Sequence, residues 1–192
     1  MIDLSKKQLP DSIQVSGRDF KIHTDFQYFI ILQRMMKEVH TENDFDFFFV
    51  DKVPHNKKNG IRELIKFMYP PKELPRTLEE ETDSTRILDY EQDSDLIYSA
   101  FYSYYGIDLA DENLHLHWYK FYSLLNGIKG TKLNDIIEIR QWKPRKNDSA
   151  EYKAQMKKLK AAWELEEVLT DEEKAALEKF ENIASGKNQS SS

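Results

Sequence analysis

Apolar positions recur with a helical period through most of the chain, most densely between residues 87 and 128. Ile97, Phe101 and Tyr104 are spaced by four and three residues, which predicts a helix with one apolar face. Gly106 follows, where a glycine can end a helix in a left-handed conformation. The acidic residues at the start of this helix, where negative charge complements the helix dipole, are Asp89, Asp93 and Asp95.

A second helix is predicted directly after the first. Its apolar stripe consists of Leu114, Trp118, Phe121 and Leu125. Five consecutive large or long side chains from Trp118 to Tyr122 cannot all face one core, because successive helical residues are about 100° apart. Either this helix is sandwiched between other elements, or Tyr119 and Tyr122 help to form a surface for a partner. The two helices together are expected to form the core around which the other elements pack.

A β-hairpin is predicted near the N-terminus. Ile13 and Val15 alternate with polar residues ahead of the turn signal Ser16-Gly17. The alternation continues after the turn with Phe20 and Ile22. A two-stranded hairpin is only marginally stable by itself in water, so this one must pack against the helices.

Two segments after the hairpin are also apolar. The sequence from Thr24 to Gln27 matches a capping box, which predicts a helix running to about Val39. Residues 44–50 form a dense apolar run whose period fits either a short helix or a strand.

Two further helices complete the predicted domain. Asn59-Gly60 precedes a helical repeat of apolar residues over positions 61–68, and Pro70-Pro71 ends it. The other helix runs from Lys132 to Trp142, and Pro144 breaks it.

The character of the sequence changes after Pro144. Residues 143–160 carry seven Lys or Arg against two acidic residues, whereas residues 161–186 carry two Lys against eight acidic residues. Both parts are predicted to be helical. Their narrow apolar stripes consist of Tyr152, Met156, Leu159 and Trp163 in the first part, and of Leu177, Phe180 and Ile183 in the second. Such narrow stripes suit docking on another surface.

These elements predict a mainly α fold, in which an N-terminal β-hairpin packs on a helical bundle and a helical extension follows. The expected divisions are an arm over residues 1–8, a core domain over residues 9–142, an amphipathic helical hairpin over residues 143–185 and a disordered polar tail over residues 186–192.

Composition narrows the class of protein. The chain has 192 residues, of which 32% are charged, a net charge of −6 and no cysteine, so disulfides and thiolate metal sites are excluded. No apolar run approaches the roughly 20 residues that span a bilayer, and the N-terminus lacks a signal sequence. We expect a protein of the cytoplasm, with neither a membrane nor a nucleic acid as its partner.

No motif in the sequence predicts catalysis. Nucleotide-binding loops and nucleophile elbows are absent, and His115 and His117 are two residues apart, so they would point to different sides of a helix. Glu112 and His115 match only half of a di-metal carboxylate site. We therefore expect no enzyme, no cofactor and no metal. The residues predicted to bind a protein partner are Trp118, Tyr119, Tyr122, Met156, Leu159, Trp163, Leu177 and Phe180.

Several segments resemble the phage family named after gene product fifteen of Gram-positive siphophages. They are Leu9–Ser12, Thr24–Phe26, Ile87–Tyr98, Tyr105–Leu109, Leu116–Trp118, Lys120-Phe121 and Leu124–Gly127. The resemblance covers roughly residues 9–142. It implies a tail-morphogenesis protein encoded just ahead of the tape-measure gene. That context suggests a tail assembly chaperone, which coats the tape measure in the host cytoplasm until tube subunits polymerise around it.

The resemblance implies that the tape-measure protein is a partner. The tail tube protein is a further candidate partner, and we expect the chain to form a homo-oligomer. Two other classes stay open. A structural virion component, such as a head–tail connector or a minor tail protein, would have the same composition. A nucleic-acid-binding regulator would use the cluster formed by Lys157, Lys158 and Lys160, although no aromatic residues are interleaved there for base stacking.

The C-terminal stripe generates the first prediction. Trp163→Ala and Leu159→Ala should weaken self-association or partner binding while the domain over residues 9–142 stays folded, because both side chains belong to a stripe suited to docking. Sedimentation and pull-down of the tape-measure protein measure the two effects. Unchanged values in both assays would contradict the prediction.

Overall fold

The computed structural model describes residues 5–6, 8–69 and 87–166. Two strands come first, β1 (Ser12–Val15) and β2 (Arg18–Lys21), and a 3-10 helix spans Glu42–Phe48. The α-helices are α1 (Phe26–Met35), α2 (Lys57–Met68), α3 (Ser94–Tyr105), α4 (Trp118–Gly127), α5 (Lys132–Gln141) and α6 (Ala150–Ala162). The prediction of a mainly helical fold with an N-terminal hairpin is confirmed.

The hairpin forms where the alternating pattern predicted it. The strands pair antiparallel with Ser12 opposite Lys21, and the turn residues Ser16 and Gly17 have φ angles of 51° and 77°. Two positive φ angles match the right-handed twist of the flanking strands in a two-residue turn. Beyond β2, an antiparallel bridge between Ile22 and Phe49 connects the hairpin to the end of the 3-10 helix.

The predicted capping box at the start of α1 is wrong. The N-cap is Asp25, whose side chain makes no capping hydrogen bond. The backbone of a distant segment caps the helix instead, because Phe26 N donates to Leu116 O at 2.9 Å and Trp118 N donates to Thr24 O at 2.7 Å. Helix α1 also ends at Met35, short of the predicted end near residue 39.

The ambiguous run over residues 44–50 forms most of the 3-10 helix. A capping box between Thr41 and Asp44 starts it, and Phe45 and Phe48 are buried. Helix α2 begins earlier than predicted, so Gly60 lies inside it. A Cβ at this position would lie 3.0 Å from Pro54 Cγ, so any larger residue would require that ring to shift by a few tenths of an ångström.

Aromatic rings fill the centre of the core. Trp118 is fully buried, and its ring stacks on Phe29 with 5.1 Å between centroids. Phe121 stacks on Phe101 at 5.0 Å and on Phe26 at 4.8 Å. These contacts join α1, α3 and α4, and each buried ring removes roughly 150–250 Å² from water. The indole Nε1 of Trp118 also donates to Met68 O at 3.0 Å, which fixes the end of α2.

Helix α3 buries the predicted face with one correction. Ile97 and Phe101 are buried, and Gly106 ends the helix with a φ angle of 69°. Tyr104, however, is 48% exposed. Tyr105 packs inward instead, since its ring contacts Phe101 and its hydroxyl donates to Leu124 O at 3.0 Å.

A buried ion pair joins the start of α3 to α5. Arg140 donates to both carboxylate oxygens of Asp93, from Nη1 at 2.7 Å and from Nη2 at 2.9 Å. Both residues are buried, with 6% and 2% of their surface exposed. Nη1 also donates to Ile87 O at 3.1 Å, and Nε donates to Trp163 O at 2.6 Å. One guanidinium therefore connects α3, α5, the segment before α3 and the end of α6.

A second buried carboxylate lies beside the first. Asp89 accepts hydrogen bonds from the backbone N–H groups of Glu91 and Gln92, each at 3.0 Å, and its carboxylate lies 2.6 Å from Lys37 Nζ. Burial raises the pKa of Asp89, but the bonds from Lys37, Gln92 and Glu91 outweigh it and lower the pKa below its usual value. Two of the three acids predicted to serve the helix dipole, Asp89 and Asp93, are thus also anchors in the core, whereas Asp95 is exposed.

Removing the buried cation tests the role of the pair. Arg140→Met should lower the free energy of unfolding by about 3–5 kcal/mol, because Asp93 is left charged and buried without its partner. The double variant Asp93→Leu with Arg140→Met should recover much of this loss. Denaturant titration measures both, with Arg145→Met as the matched exposed control, expected to change stability by about 0.5 kcal/mol or less. A loss no larger than that of the control would contradict the prediction.

His117 caps α4 with its side chain. The ring Nδ1 accepts from Tyr119 N at 3.0 Å, and Nε2 lies 2.9 Å from Pro10 O, so a neutral ring with its proton on Nε2 satisfies both groups. Burial lowers the pKa of His117, against the opposing effect of the Pro10 carbonyl. The position therefore serves as a structural cap between the N-terminal segment and α4.

This cap predicts a dependence of stability on pH. The pKa of His117 in the folded chain lies below its ordinary value of 6.5. As the pH falls from about 7 to about 5, the unfolded chain therefore takes up a proton before the folded chain does, and stability is lost. His117→Asn retains an acceptor for the helix N-terminus but does not titrate in this range. Its unfolding free energy should depend less on pH, and equal slopes for both proteins in urea titrations would disprove the assignment.

Candidate interaction surfaces

Three of the predicted partner-binding residues belong to α4. Trp118 is fully buried and Tyr119 is 8% exposed, so neither presents an open surface to a partner in the folded chain. The sandwiched arrangement of α4 thus accounts for both rings. Burial raises the pKa of Tyr119 to about 12. Tyr122 is half-buried and lines an open groove of about 560 Å³ together with Tyr69 and Ile137.

The predicted C-terminal stripe is only partly described. Met156 and Leu159 on α6 and Trp163 just after it are half-buried. Leu177 and Phe180 lie outside the described residues. The α6 helix packs against α5, and the ring of Tyr152 meets Trp142 edge-on at 6.1 Å. The boundary at residue 142 and the role of the stripe in binding stay predictions.

The outer side of α3 carries an uncharged surface that the sequence analysis missed. We define the tyrosine face as Tyr98, Ser99, Tyr102 and Ser103, all of which are exposed. Tyr98 is 38% exposed and Tyr102 is 57% exposed. Residues 96–107 contain no charged side chain, although 32% of the whole chain is charged. An exposed helix face in such a chain would ordinarily carry Lys or Glu, so this face is a candidate surface for contact with another protein.

The two tyrosine rings of this face contact each other. The rings of Tyr98 and Tyr102 stack with 6.1 Å between centroids and 16° between planes. The Asp108 carboxylate, which accepts from Ala110 N at 2.9 Å, lies close to the Tyr98 hydroxyl. Desolvation and the nearby Asp108 charge raise the pKa of Tyr98. Ordered rings lose little conformational entropy on binding, which favours recognition.

The serines of this face are also satisfied within the helix. Ser99 Oγ donates to Leu96 O at 3.1 Å, and Ser103 Oγ donates to Ala100 O at 3.3 Å. Both serine hydroxyl groups therefore already donate their hydrogen bonds within the helix. The face offers apolar ring surface, phenolic hydroxyls and small side chains, which is the chemistry of many protein recognition surfaces.

The described residues also allow three observations on metal ligands, membrane helices and the lysine cluster. Within residues 5–6, 8–69 and 87–166, no three His, Cys, Asp or Glu side chains come together as a metal site. No helix in the same part of the chain has both the length and the apolar content to cross a membrane. Lys157 and Lys158 are exposed, whereas Lys160 reaches Trp142 O at 3.4 Å.

The described residues thus form a helical core with an uncharged tyrosine face on the outer side of α3. The family model described as Bacteriophage Gp15 protein matches residues 5–165 of the chain. The chain therefore belongs to the bacteriophage Gp15 family, which makes it a phage virion or morphogenesis protein. The match extends past residue 142 and includes α6. No curated protein and no solved structure matches the chain significantly.

Proposed function

We propose that the chain is a tail assembly chaperone that binds the tape-measure protein through the tyrosine face of α3. The observation that carries this proposal is an exposed, ordered and uncharged face in a family of phage morphogenesis or virion proteins. The resemblance found in the sequence adds the expected gene context, just ahead of the tape-measure gene. Binding would take place in the host cytoplasm, and the chain would act without catalysis.

The physical task suits such a surface. A tape measure is a long helical protein whose apolar stripes would aggregate if they were left bare in water. Tyrosine rings cover apolar surface while their hydroxyls stay in contact with water. The two ordered rings give a small contact area, so each contact is modest and many copies along the tape measure provide avidity. Modest contacts also permit release when tube subunits polymerise.

Co-expression tests the proposal. The wild-type chain should keep the tape-measure protein soluble and co-purify with it. The double variant Tyr98→Ser with Tyr102→Ser should lose most of this effect, because the ring surface is removed while the buried face of α3 is untouched. The soluble fraction of the tape-measure protein and its recovery in pull-down are the measurements.

The matched control is Val39→Ser, which removes an apolar side chain that is 92% exposed outside the tyrosine face. This variant should behave as the wild type does. Circular dichroism checks that each variant is folded. A tape-measure protein that stays insoluble with the wild-type chain, or is equally soluble with the double variant, would overturn the proposal.

A structural virion component is the second candidate, since the family assignment is compatible with it. Mass spectrometry of purified particles separates the two candidates. A chaperone is released before the particle is complete and should be absent or scarce, whereas a connector or minor tail protein should be present in a fixed copy number.

A further inference from the structure

The C-terminal end of the described chain is held by atoms that recognise its backbone. Arg140 Nε donates to Trp163 O at 2.6 Å. The Gln92 side chain makes a reciprocal pair with one residue, since Nε2 donates to Glu166 O at 3.1 Å and Oε1 accepts from Glu166 N at 2.8 Å. Lys132 Nζ lies 5.4 Å from the centre of the Trp163 ring. We call Gln92, Lys132 and Arg140 the clasp, and residues 150–166 the arm.

The clasp has the properties of a site for an extended peptide. A side-chain amide that pairs with both the N–H and the C=O of one residue imitates the pairing of a neighbouring strand. The contact between the Lys132 ammonium group and the Trp163 ring adds one side-chain interaction to these main-chain bonds. The clasp borders an open cleft of about 520 Å³ that Asp95 and Leu96 also line. Any extended segment can occupy the clasp if it has a tryptophan and, three residues later, a main chain that is free to form hydrogen bonds.

The arm is attached in a way that permits exchange. Helix α6, all 13 residues of which are described, has no fully buried side chain. Lifting it away therefore exposes less apolar surface than moving a core helix would. The connection over residues 143–149 contains Pro144 and a turn in which Arg145 N donates to Asp148 Oδ2 at 2.8 Å. The arm thus leaves the body through a short polar connector.

Charge favours an approach between copies. Residues 143–160 carry seven Lys or Arg against two acids, whereas residues 89–95, which lead into α3 beside the clasp, carry four acids and no base. Of these acids, Glu91 and Asp95 are exposed. The basic connector and helix of one copy therefore complement the acidic segment beside the clasp of another, which speeds encounter.

We propose that the clasp is a docking site for an extended segment, and that residues 163–166 of a second copy occupy it when the chain self-associates. In the single chain the same residues fill it in cis. Reciprocal exchange of the two arms then gives a closed pair with two-fold symmetry, in which every bond of the single chain is kept between copies. The inference concerns the purified chain alone and does not rest on the binding of a tape-measure protein.

Sedimentation velocity over about 1–200 µM protein tests it with two variants of the full chain. Gln92→Leu removes the side-chain amide. Glu166→Pro removes the backbone N–H that donates a hydrogen bond to this amide. Each variant alone should leave the dissociation constant of the dimer within about threefold of the wild-type value, because the same bonds are lost from the single chain, where they form in cis, and from the exchanged pair. Glu166→Ala keeps the N–H and Gln155→Leu changes an exposed glutamine elsewhere on α6, so an equimolar mixture of these two control variants should associate no more strongly than the wild type.

Mixing the two variants tests the exchange of arms most directly. An equimolar mixture of Gln92→Leu and Glu166→Pro should form heterodimers more strongly than either variant alone, because the intact clasp of one copy meets the intact arm of the other. A chain that is monomeric throughout this range, or a mixture no more associated than its components, would overturn the proposal.

A labelled peptide with the sequence of residues 161–167 supplies a measurement that needs no dimer. It should bind the full-length Glu166→Pro chain, in which the cis arm is weakened, and bind Gln92→Leu at least tenfold more weakly in fluorescence anisotropy. No binding to Glu166→Pro would equally overturn the assignment of the site.

Discussion

The bidentate ion pair between Arg140 and Asp93 fixes the relative positions of several separate parts of the chain. A buried guanidinium is stable only if its donors are satisfied, and here the partners are the Asp93 carboxylate and the carbonyls of Ile87 and Trp163. The start of α3, helix α5 and the end of α6 therefore cannot shift independently. Asp89 and Lys37 extend the same charged layer to the region after α1.

The position of α3 follows from this constraint and from the aromatic core. Asp93 anchors the first turn, and Phe101 stacks on Phe121 about two turns further along. With these two points fixed, Tyr98 and Tyr102 must lie on the outer side of the helix. The interaction that stabilises the interior thus also determines which side chains of α3 face outward. The family assignment and the uncharged surface together favour a function in binding.

Local patterns in the sequence predicted the elements whose causes are local. The hairpin depends on alternation and on a turn at Ser16-Gly17, and the end of α3 depends on Gly106, so both could be predicted. The start of α1 depends on main-chain bonds from Leu116 and to Trp118, about 90 residues away, which no local motif encodes. The capping box at Thr24 was therefore misleading.

The same distinction between local and long-range causes applies to the candidate surfaces. The roles of Asp93 and Arg140 depend on a contact across 47 residues of sequence, so helix-dipole reasoning explained only part of their placement. The rings of Trp118 and Tyr119 were prominent in the sequence, yet burial removes them from the surface. The uncharged run over residues 96–107 was the available signal for the tyrosine face, and it needed the buried side of α3 to be known before the outer side could be assigned.

The central claim is that the outer side of α3 is where a tail protein binds. Its most direct test places a photo-reactive amino acid at position 102 or, as a comparison, at position 39, in cells that produce the phage tail proteins. Irradiation should crosslink position 102 to the tape-measure protein and leave position 39 without that product, as identified by mass spectrometry. Equal crosslinking at both positions, or no tail protein attached at position 102, would contradict the account.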